Sequence, residues 1–237
     1  MKRIIFIIAS MLAFFTQPAA GQQQPGGTLK VLSFNIRQWT RDTDVSLPTF
    51  WRTRMEAMER MLEDIAPDVI CFQEFLAPVG QYIPEGYRRV GVTVSHPIYV
   101  RKGLKTSGHV VSIFWEACKV NGVQIINVHG RWEQEIIARV VSQVGARLTG
   151  RDIACGDWNT SLRSIENAGL EMSSVRTVLG IPESTDTFAN FSRPEQSHGA
   201  IDHFFVNGVE PLSYRMITDG YGCDKISDHY PILLECR

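Results

Sequence analysis

Acids, carboxamides and imidazoles recur at one kind of position along this 237-residue chain: where an apolar, strand-like run stops or starts. Phe34-Asn35-Ile36-Arg37 closes the first run, Phe72-Gln73-Glu74 a second, and Asn127-Val128-His129 a third. Gly156-Asp157-Trp158-Asn159 follows a fourth, Ile201-Asp202-His203 opens another, and Ser227-Asp228-His229 precedes the last. Strand ends gathered at one edge would make a cleft of carboxylates, amides and imidazoles. Hard oxygen donors of that kind suit Mg2+, Mn2+ or Ca2+, whereas no CxxC or Cys/His cluster points to zinc. Singly each piece is weak. An Asp-His pair is usually a surface hydrogen bond, and Gly-Asp-Trp-Asn has the composition of a plain turn. Their recurrence at strand boundaries is the signal.

The elements that must position these residues follow from periodicity. Apolar runs at Leu29–Phe34, Val69–Phe72, Val110–Trp115, Val123–Val128, Ile153–Cys155, Ile201–Val206 and Pro231–Leu234 predict strands, since most are β-branched or aromatic and are bounded by turn residues. Phe50, Met55, Met58, Met61, Leu62 and Ile65 mark one amphipathic helix, closed by Pro67. Ile136, Ile137, Val140, Val141, Val144 and Leu148 mark a second, closed by Gly150. Asn121-Gly122 reads as a tight hairpin turn. Together they predict one α/β (mixed α+β) domain over residues 29–237, with mixed sheets.

Hydrophobic residues at 44% fit a soluble globular domain. The first residues differ: Lys2 and Arg3 precede an apolar run from Ile4 to Phe15, then small residues at Ala19, Ala20 and Gly21. That order predicts a secretory signal over residues 1–21 with a Gln/Gly linker over 22–28. A twelve-residue helix rises about 18 Å, too short for a hydrocarbon core of roughly 30 Å. The expected location is therefore secreted or periplasmic, with no membrane span in the mature chain. Removing residues 1–21 takes Lys2 and Arg3 and no acid, leaving 22 Lys+Arg against 25 Asp+Glu, a formal charge of −3. A protein gripping long DNA by its phosphates usually shows a basic balance, so nucleic acid is a possible but disfavoured partner. Of five cysteines, Cys71 and Cys155 lie in apolar runs and read as buried thiols. Strand layout disfavours a Cys223–Cys236 bridge and leaves Cys118–Cys236 as a weak candidate.

With these residues in view, the chain resembles the endonuclease/exonuclease/phosphatase superfamily, the group of DNase I, exonuclease III-type AP endonucleases, inositol polyphosphate 5-phosphatases and neutral sphingomyelinases. The resemblance runs from about Leu29 to Glu235. It rests on Leu32-Ser33-Phe34-Asn35-Ile36-Arg37, on Trp51 and Arg54 opening a helix, on Pro67-Asp68-Val69-Ile70-Cys71-Phe72-Gln73-Glu74, on Asn127-Val128-His129, on Gly156-Asp157-Trp158-Asn159, on Thr187-Phe188, on Ile201-Asp202-His203 and on Ser227-Asp228-His229-Tyr230-Pro231-Ile232. It implies a DNase I-like four-layer sandwich, two packed mixed sheets flanked by helices, with the site at one edge.

The roles implied by that resemblance are specific. Glu74 would be the main ligand of a divalent metal, Mg2+ or else Mn2+ or Ca2+, with Asn35 beside it and Asp228 contributing directly or through water. Asp157 would orient and deprotonate the attacking water, and Asn159 would hold a phosphate oxygen. His229, oriented by Asp202, would bind phosphate or transfer a proton, and His129 would bind it from the other side. Arg37, Arg131, Tyr99 and Arg101 are candidate substrate contacts, as are Arg41, Lys102, Lys105 and Arg193, about half of them expected to be ordinary solvated charge. Where many relatives read Asn-x-His-Leu-Asp this chain has Asn127-Val128-His129-Gly130-Arg131-Trp132, and the aromatic of Pro97–Lys102 is displaced by one place. The implied activity is a metal-dependent phosphohydrolase, a phosphodiesterase or phosphatase, cleaving a small or lipid-derived phosphate ester by in-line attack of water; the N-terminal signal adds export, and a monomer is expected. A secreted nuclease is the alternative, and a non-catalytic phosphate-binding protein a third reading.

Overall fold

The computed structural model describes residues 27–182, 186–191 and 199–237, so the segment 1–21, most of the linker 22–28 and Arg193 lie outside the described residues. The chain opens with β1 (Leu29–Asn35), α1 (Trp51–Ile65) and β2 (Val69–Gln73), then β3 (Tyr87–Val90) and β4 (Ile98–Arg101). A second series follows: β5 (Thr106–Val111), β6 (Trp115–Val120), β7 (Val123–His129), α2 (Gln134–Gly145) and β8 (Asp152–Asp157). The rest comprises α3 (Leu162–Asn167), β9 (Ser173–Ser174), α4 (Val175–Leu179), β10 (Asp202–Asn207), β11 (Pro211–Met216) and β12 (Ile232–Cys236).

Two six-stranded mixed sheets result, in the orders β11-β12-β1-β2-β4-β3 and β5-β6-β7-β8-β10-β9. Each contains one strand–helix–strand unit whose strands run parallel, β1 with β2 across α1 and β7 with β8 across α2. Parallel neighbours joined by a crossover helix must end at the same edge. That rule delivers Asn35 beside Gln73 and His129 beside Asp157.

The packing is four-layered. Val31, Val69, Cys71 and Val100 from one sheet meet Cys118, Ile125, Ile153 and Cys155 from the other in a central core. Met55, Met58, Met61 and Leu62 seat α1 on the outer face of the first sheet, and Val140, Val141 and Val144 seat α2 on the second. Helix α1 stops where Ala66 turns left-handed (φ 45°) ahead of Pro67, as the proline predicts. Asn121 (φ 49°) and Gly122 (φ 86°) make the β6–β7 hairpin turn. Polar side chains bridge the middle of the sandwich: Gln73 Nε2 donates to Asn127 Oδ1 at 2.6 Å, and Asn127 Nδ2 donates to Phe72 O and His96 O at 2.8 and 2.9 Å.

Two expectations are corrected. The run Val110–Trp115 is not one strand: β5 ends at Val111, the chain reverses through Ser112, Ile113 and Phe114, and Ser112 N–H donates to Trp115 O at 2.8 Å. Apolar residues in the reversal hide it from periodicity, Ile113 being 75% exposed. All five cysteines carry free thiols, so Cys118 and Cys236 form no bridge; they lie on different sheets, buried in the central core.

Candidate active site

Each strand that ends at the site edge turns sharply there, and the turns are side-chain capped. Arg37, Glu74 and Asn159 all adopt left-handed backbone (φ 55°, 56° and 54°), costing on the order of 1 kcal/mol each. At Arg37 and Asn159 a short polar side chain two residues back offsets this. Arg37 N–H donates to Asn35 Oδ1 at 3.0 Å, and Asn159 N–H donates to Asp157 Oδ1 at 2.8 Å. Gly156 (φ 141°) precedes Asp157, and a Cβ there would strike the carbonyl of Val128 on β7. Only glycine lets β7 and β8 stay paired up to His129 and Asp157.

The Asp157 carboxylate is the focus. It is buried, and its Oδ2 accepts from Asn35 Nδ2 at 2.9 Å and Asn159 Nδ2 at 3.1 Å. The same oxygen lies 3.9 Å from Nε2 of both His129 and His229. One oxygen thus stands between two imidazoles and two amides. Burial pushes the Asp157 carboxyl up to about 7, against the opposing pull of His229 and of its hydrogen bonds.

The two imidazoles are driven apart. Burial pushes His129 down to about 4, so it is neutral near pH 7. Burial would also lower His229, but the Asp202 and Asp157 carboxylates outweigh it and hold the ring up at about 10. His229 Nδ1 lies 2.9 Å from Asp202 Oδ2, which also accepts from Thr187 Oγ1 at 2.7 Å. Thr187 Oγ1 in turn accepts the Ile201 and Asp202 N–H groups, and the Phe188 ring packs edge-on to His229 at 4.9 Å. Sterically and electrostatically, His229 points Nε2 toward Asp157.

Asn35, Glu74 and Asp228 meet around the Arg37–Gln38 turn. Asn35 Oδ1 accepts Arg37 N–H, Glu74 Oε2 accepts Gln38 N–H at 2.9 Å, and Asp228 Oδ2 accepts Arg37 Nη1 at 2.6 Å. Three oxygen-bearing side chains held by a single turn fit a hard divalent cation. Ligand atoms of Asp157, Asp202 and His229 also lie within 4.8 Å of one another. In that group Asp202 orients His229 and one donor is an imidazole, whereas the Asn35, Glu74 and Asp228 set offers only the oxygen donors that a hard cation prefers.

The expected residues divide accordingly. The fold brings together Asn35, Glu74, His129, Asp157, Asn159, Asp202, Asp228 and His229. Arg131 stands exposed at the rim, two residues past His129. Arg37 gives Nε to Asp42 at 2.8 Å and Nη1 to Asp228, so it braces the turn at the site. Two expected substrate contacts are corrected. Tyr99 is packed between Phe72 and Phe75 in the core under α1. Arg101 lies level with Asp68 at the start of β2, bonded to Asp68 and to the carbonyls of Ala66 and Pro67, because β4 runs antiparallel to β2. Lys102 and Lys105 follow it on that far edge.

Several supporting groups carry no assigned role in the sequence. Arg54, fully buried, donates to Ile36 O, Ile226 O and Asp42, tying α1 to both site turns. A charged residue on the buried stripe of an amphipathic helix was its available signal. Ser227 Oγ donates to Asn35 O at 2.8 Å, and nothing in its local pattern marks that contact.

Comparison with known proteins agrees with this geometry. Residues 33–229 match the Endonuclease/Exonuclease/phosphatase family. A search of characterised sequences gives no significant match. Among solved structures, the chain is similar to TDP2 of D. rerio complexed with single strand DNA product (TM-score 0.70, 18% identity, covering 89% of this chain and 99% of that one). It is likewise similar to a mannosyl-6-phosphatase of Bacteroides thetaiotaomicron (0.70, 19%, 88% and 99%) and to an endonuclease/exonuclease/phosphatase family protein of the same organism (0.69, 20%, 89% and 97%). Over most of its length, then, this chain belongs to the Endonuclease/Exonuclease/phosphatase family, whose members are divalent-metal-dependent phosphoester hydrolases.

Proposed function

We propose that this phosphohydrolase cleaves a small or lipid-derived phosphate ester, with Asp157 as the group that aligns and deprotonates the attacking water. The observation that carries the reading is the placement of Asp157 Oδ2 at 3.9 Å from both imidazoles while two amides hold it. A carboxyl raised to about 7 is poised to take a proton near neutral pH. His229, kept cationic by Asp202, would donate Nε2–H to a phosphate oxygen, and neutral His129 would donate from the opposite side. Groups of opposite tendency flanking one base are how a single cleft divides acid and base work. Asn159 would hold a further phosphate oxygen. Glu74, Asn35 and Asp228 would hold a divalent cation, Mg2+ by preference; bound there, such an ion would supply neutralisation of phosphate charge.

The basic, apolar, small-residue order of residues 1–21 supports export to a secreted or periplasmic location, and we take the mature enzyme to be a monomer. No helix among the described residues is long and apolar enough to cross a membrane. A nuclease is the second reading. The TDP2 structure holds a single strand DNA product, which favours it, while the acidic balance of this chain weighs against it.

The test is a screen of the purified protein against phosphomonoesters, diesters, DNA and phospholipids, with and without Mg2+, Mn2+ and Ca2+. Metal-dependent turnover of a small diester without DNA cleavage is expected. DNA cleavage with steep salt dependence would select the nuclease, and wild-type rates in both Glu74→Gln and His229→Ala would sink the assignment of the centre.

A further inference from the structure

Nine large apolar side chains are exposed among the described residues, and six of them stand on loops at the site edge. They are Val45, Leu47, Val92, Val94, Ile113 and Trp132, each between 51 and 75% exposed. Scattered apolar residues on a surface need no explanation, but concentration around one opening does.

Four of the six form one bank of the cleft. Ser95 O accepts the Phe75 N–H at 2.9 Å, which seats the loop bearing Val92 and Val94 beside Glu74. Phe114 O accepts the His129 N–H at 2.8 Å, which seats the reversal bearing Ile113 beside that imidazole. Trp132 follows His129 by three residues. Segments 91–95 and 112–114 contain no ionisable side chain.

The bank is also fastened from beneath. Glu116 is fully buried on β6, Thr93 Oγ1 donates to its carboxylate, and His109 Nε2 lies 2.6 Å from the other oxygen. Gly91 (φ 97°) opens the loop, and a Cβ there would strike that same carboxylate. A buried acid therefore holds the root of the loop while its two valines stand outward.

From this arrangement we infer that the bank of Val92, Val94, Ile113 and Trp132 inserts into a lipid surface that presents the phosphate ester to the cleft. The inference rests on the phosphohydrolase reading and names the form in which the substrate arrives. All four side chains are at least 67% exposed, which fits insertion better than a pocket for a dissolved ligand. A protein partner or second copy seated on the bank would close the entrance to Asp157 and His229, whereas a lipid surface covers the bank and supplies the reacting group. An exposed Trp suits the interfacial layer. Segments 91–95 and 112–114 carry no charge, and Arg131 and Glu133 flank Trp132 with opposite signs, so attachment rests on apolar burial and binding should extend to zwitterionic lipid with little dependence on salt.

The test is co-sedimentation of the full chain with phosphatidylcholine vesicles, comparing wild type with the combined variant Val92→Ser, Val94→Ser, Ile113→Ser, Trp132→Ser. Both carry the same N-terminal segment, so their difference isolates the bank. Wild type is expected to bind equally at low and high salt. Each tip removed should weaken partitioning by about threefold or more, and the combined variant by at least about a hundredfold. An unchanged thermal unfolding midpoint and turnover of a soluble diester within about twofold would establish that the variant is folded. Equal vesicle binding by both proteins, or binding by neither, would overturn the inference, as would a change in self-association without vesicle binding. Vesicle binding by wild type and Glu74→Gln, lost in the combined variant, with no phosphate ester hydrolysed by wild type, would instead sink the phosphohydrolase reading and leave the docking surface standing.

Discussion

The molecule builds the same device twice and loads it differently. Units β1–α1–β2 and β7–α2–β8 are each a parallel strand pair with a crossover helix, and both deliver strand ends to one edge. The first ends in Asn35 and Glu74, oxygen-bearing groups tied by the Arg37–Gln38 turn into an ion-paired lattice with Asp42, Arg54 and Asp228. The second ends in His129 and Asp157, a neutral imidazole and a carboxyl raised by burial, joined by His229 from the loop before β12. Lattice charge is compensated on one side and displaced from its ordinary ionisation on the other. The bond from Asn35 Nδ2 to Asp157 Oδ2 is the seam between them. A shared strand–helix–strand topology thus leaves the division of labour to the residue at each strand end: cation holding on the first sheet, proton handling on the second.

That division is open to direct attack. Asp157→Asn should lower kcat the most, by about a thousandfold, since an amide cannot take the water's proton. The metal concentration giving half-maximal rate should stay where it was, and a metal titration of the residual activity checks this. Glu74→Gln should cost less, about a hundredfold at a fixed low metal concentration, and much of the loss should return as metal is raised. If raising the metal rescued Asp157→Asn as well, the two strand pairs would share one job and the contrast would be void.

The strands that carry the site are legible in the sequence because they are buried on both faces. β2 and β8 are buried at every residue, so they read as unbroken apolar runs ending in a polar residue. The site residues are legible for the same reason: an acid or amide closing such a run has little structural excuse. Edge strands are not legible. β5 and β11 expose much of their length, and their sequences Thr-Ser-Gly-His-Val-Val and Pro-Leu-Ser-Tyr-Arg-Met carry no clean alternation. Nor are bonds between residues far apart in the chain, such as Thr187 to Asp202 or Arg54 to Asp42, since a hydroxyl or guanidinium shows its type but not its partner. Arg101 fails for that reason: it is a cation near a site motif, spent on a carboxylate at the far edge.

Asn127→Ala probes the link beneath the two pairs. It strips the carbonyls of Phe72 and His96 of this donor and leaves the buried Gln73 amide without its shortest acceptor. The expected cost is about 2 kcal/mol of unfolding free energy, read by denaturant titration. Because the network lies between the sheets and below Asp157, activity per folded molecule should fall only modestly. A loss as large as that of Asp157→Asn, in protein of unchanged stability, would mean that the two strand ends do not act as separate units.

Arg101→Ala should do least. The side chain is 40% exposed and pairs with Asp68 at 3.2 Å at the edge opposite the site. A partly exposed pair contributes about 0 to 1 kcal/mol, and the lost bonds to the Ala66 and Pro67 carbonyls add to this only where water cannot replace them. Turnover of any phosphate ester should therefore stay within about twofold, with kcat and KM both unmoved. A rise in KM alone would mean that substrate reaches around β4 to the far edge. It would also mean that cation placement on the first sheet is not confined to the turn that holds Asn35, Glu74 and Asp228, and the separation of cation holding from substrate contact would have to be redrawn along the whole of that sheet.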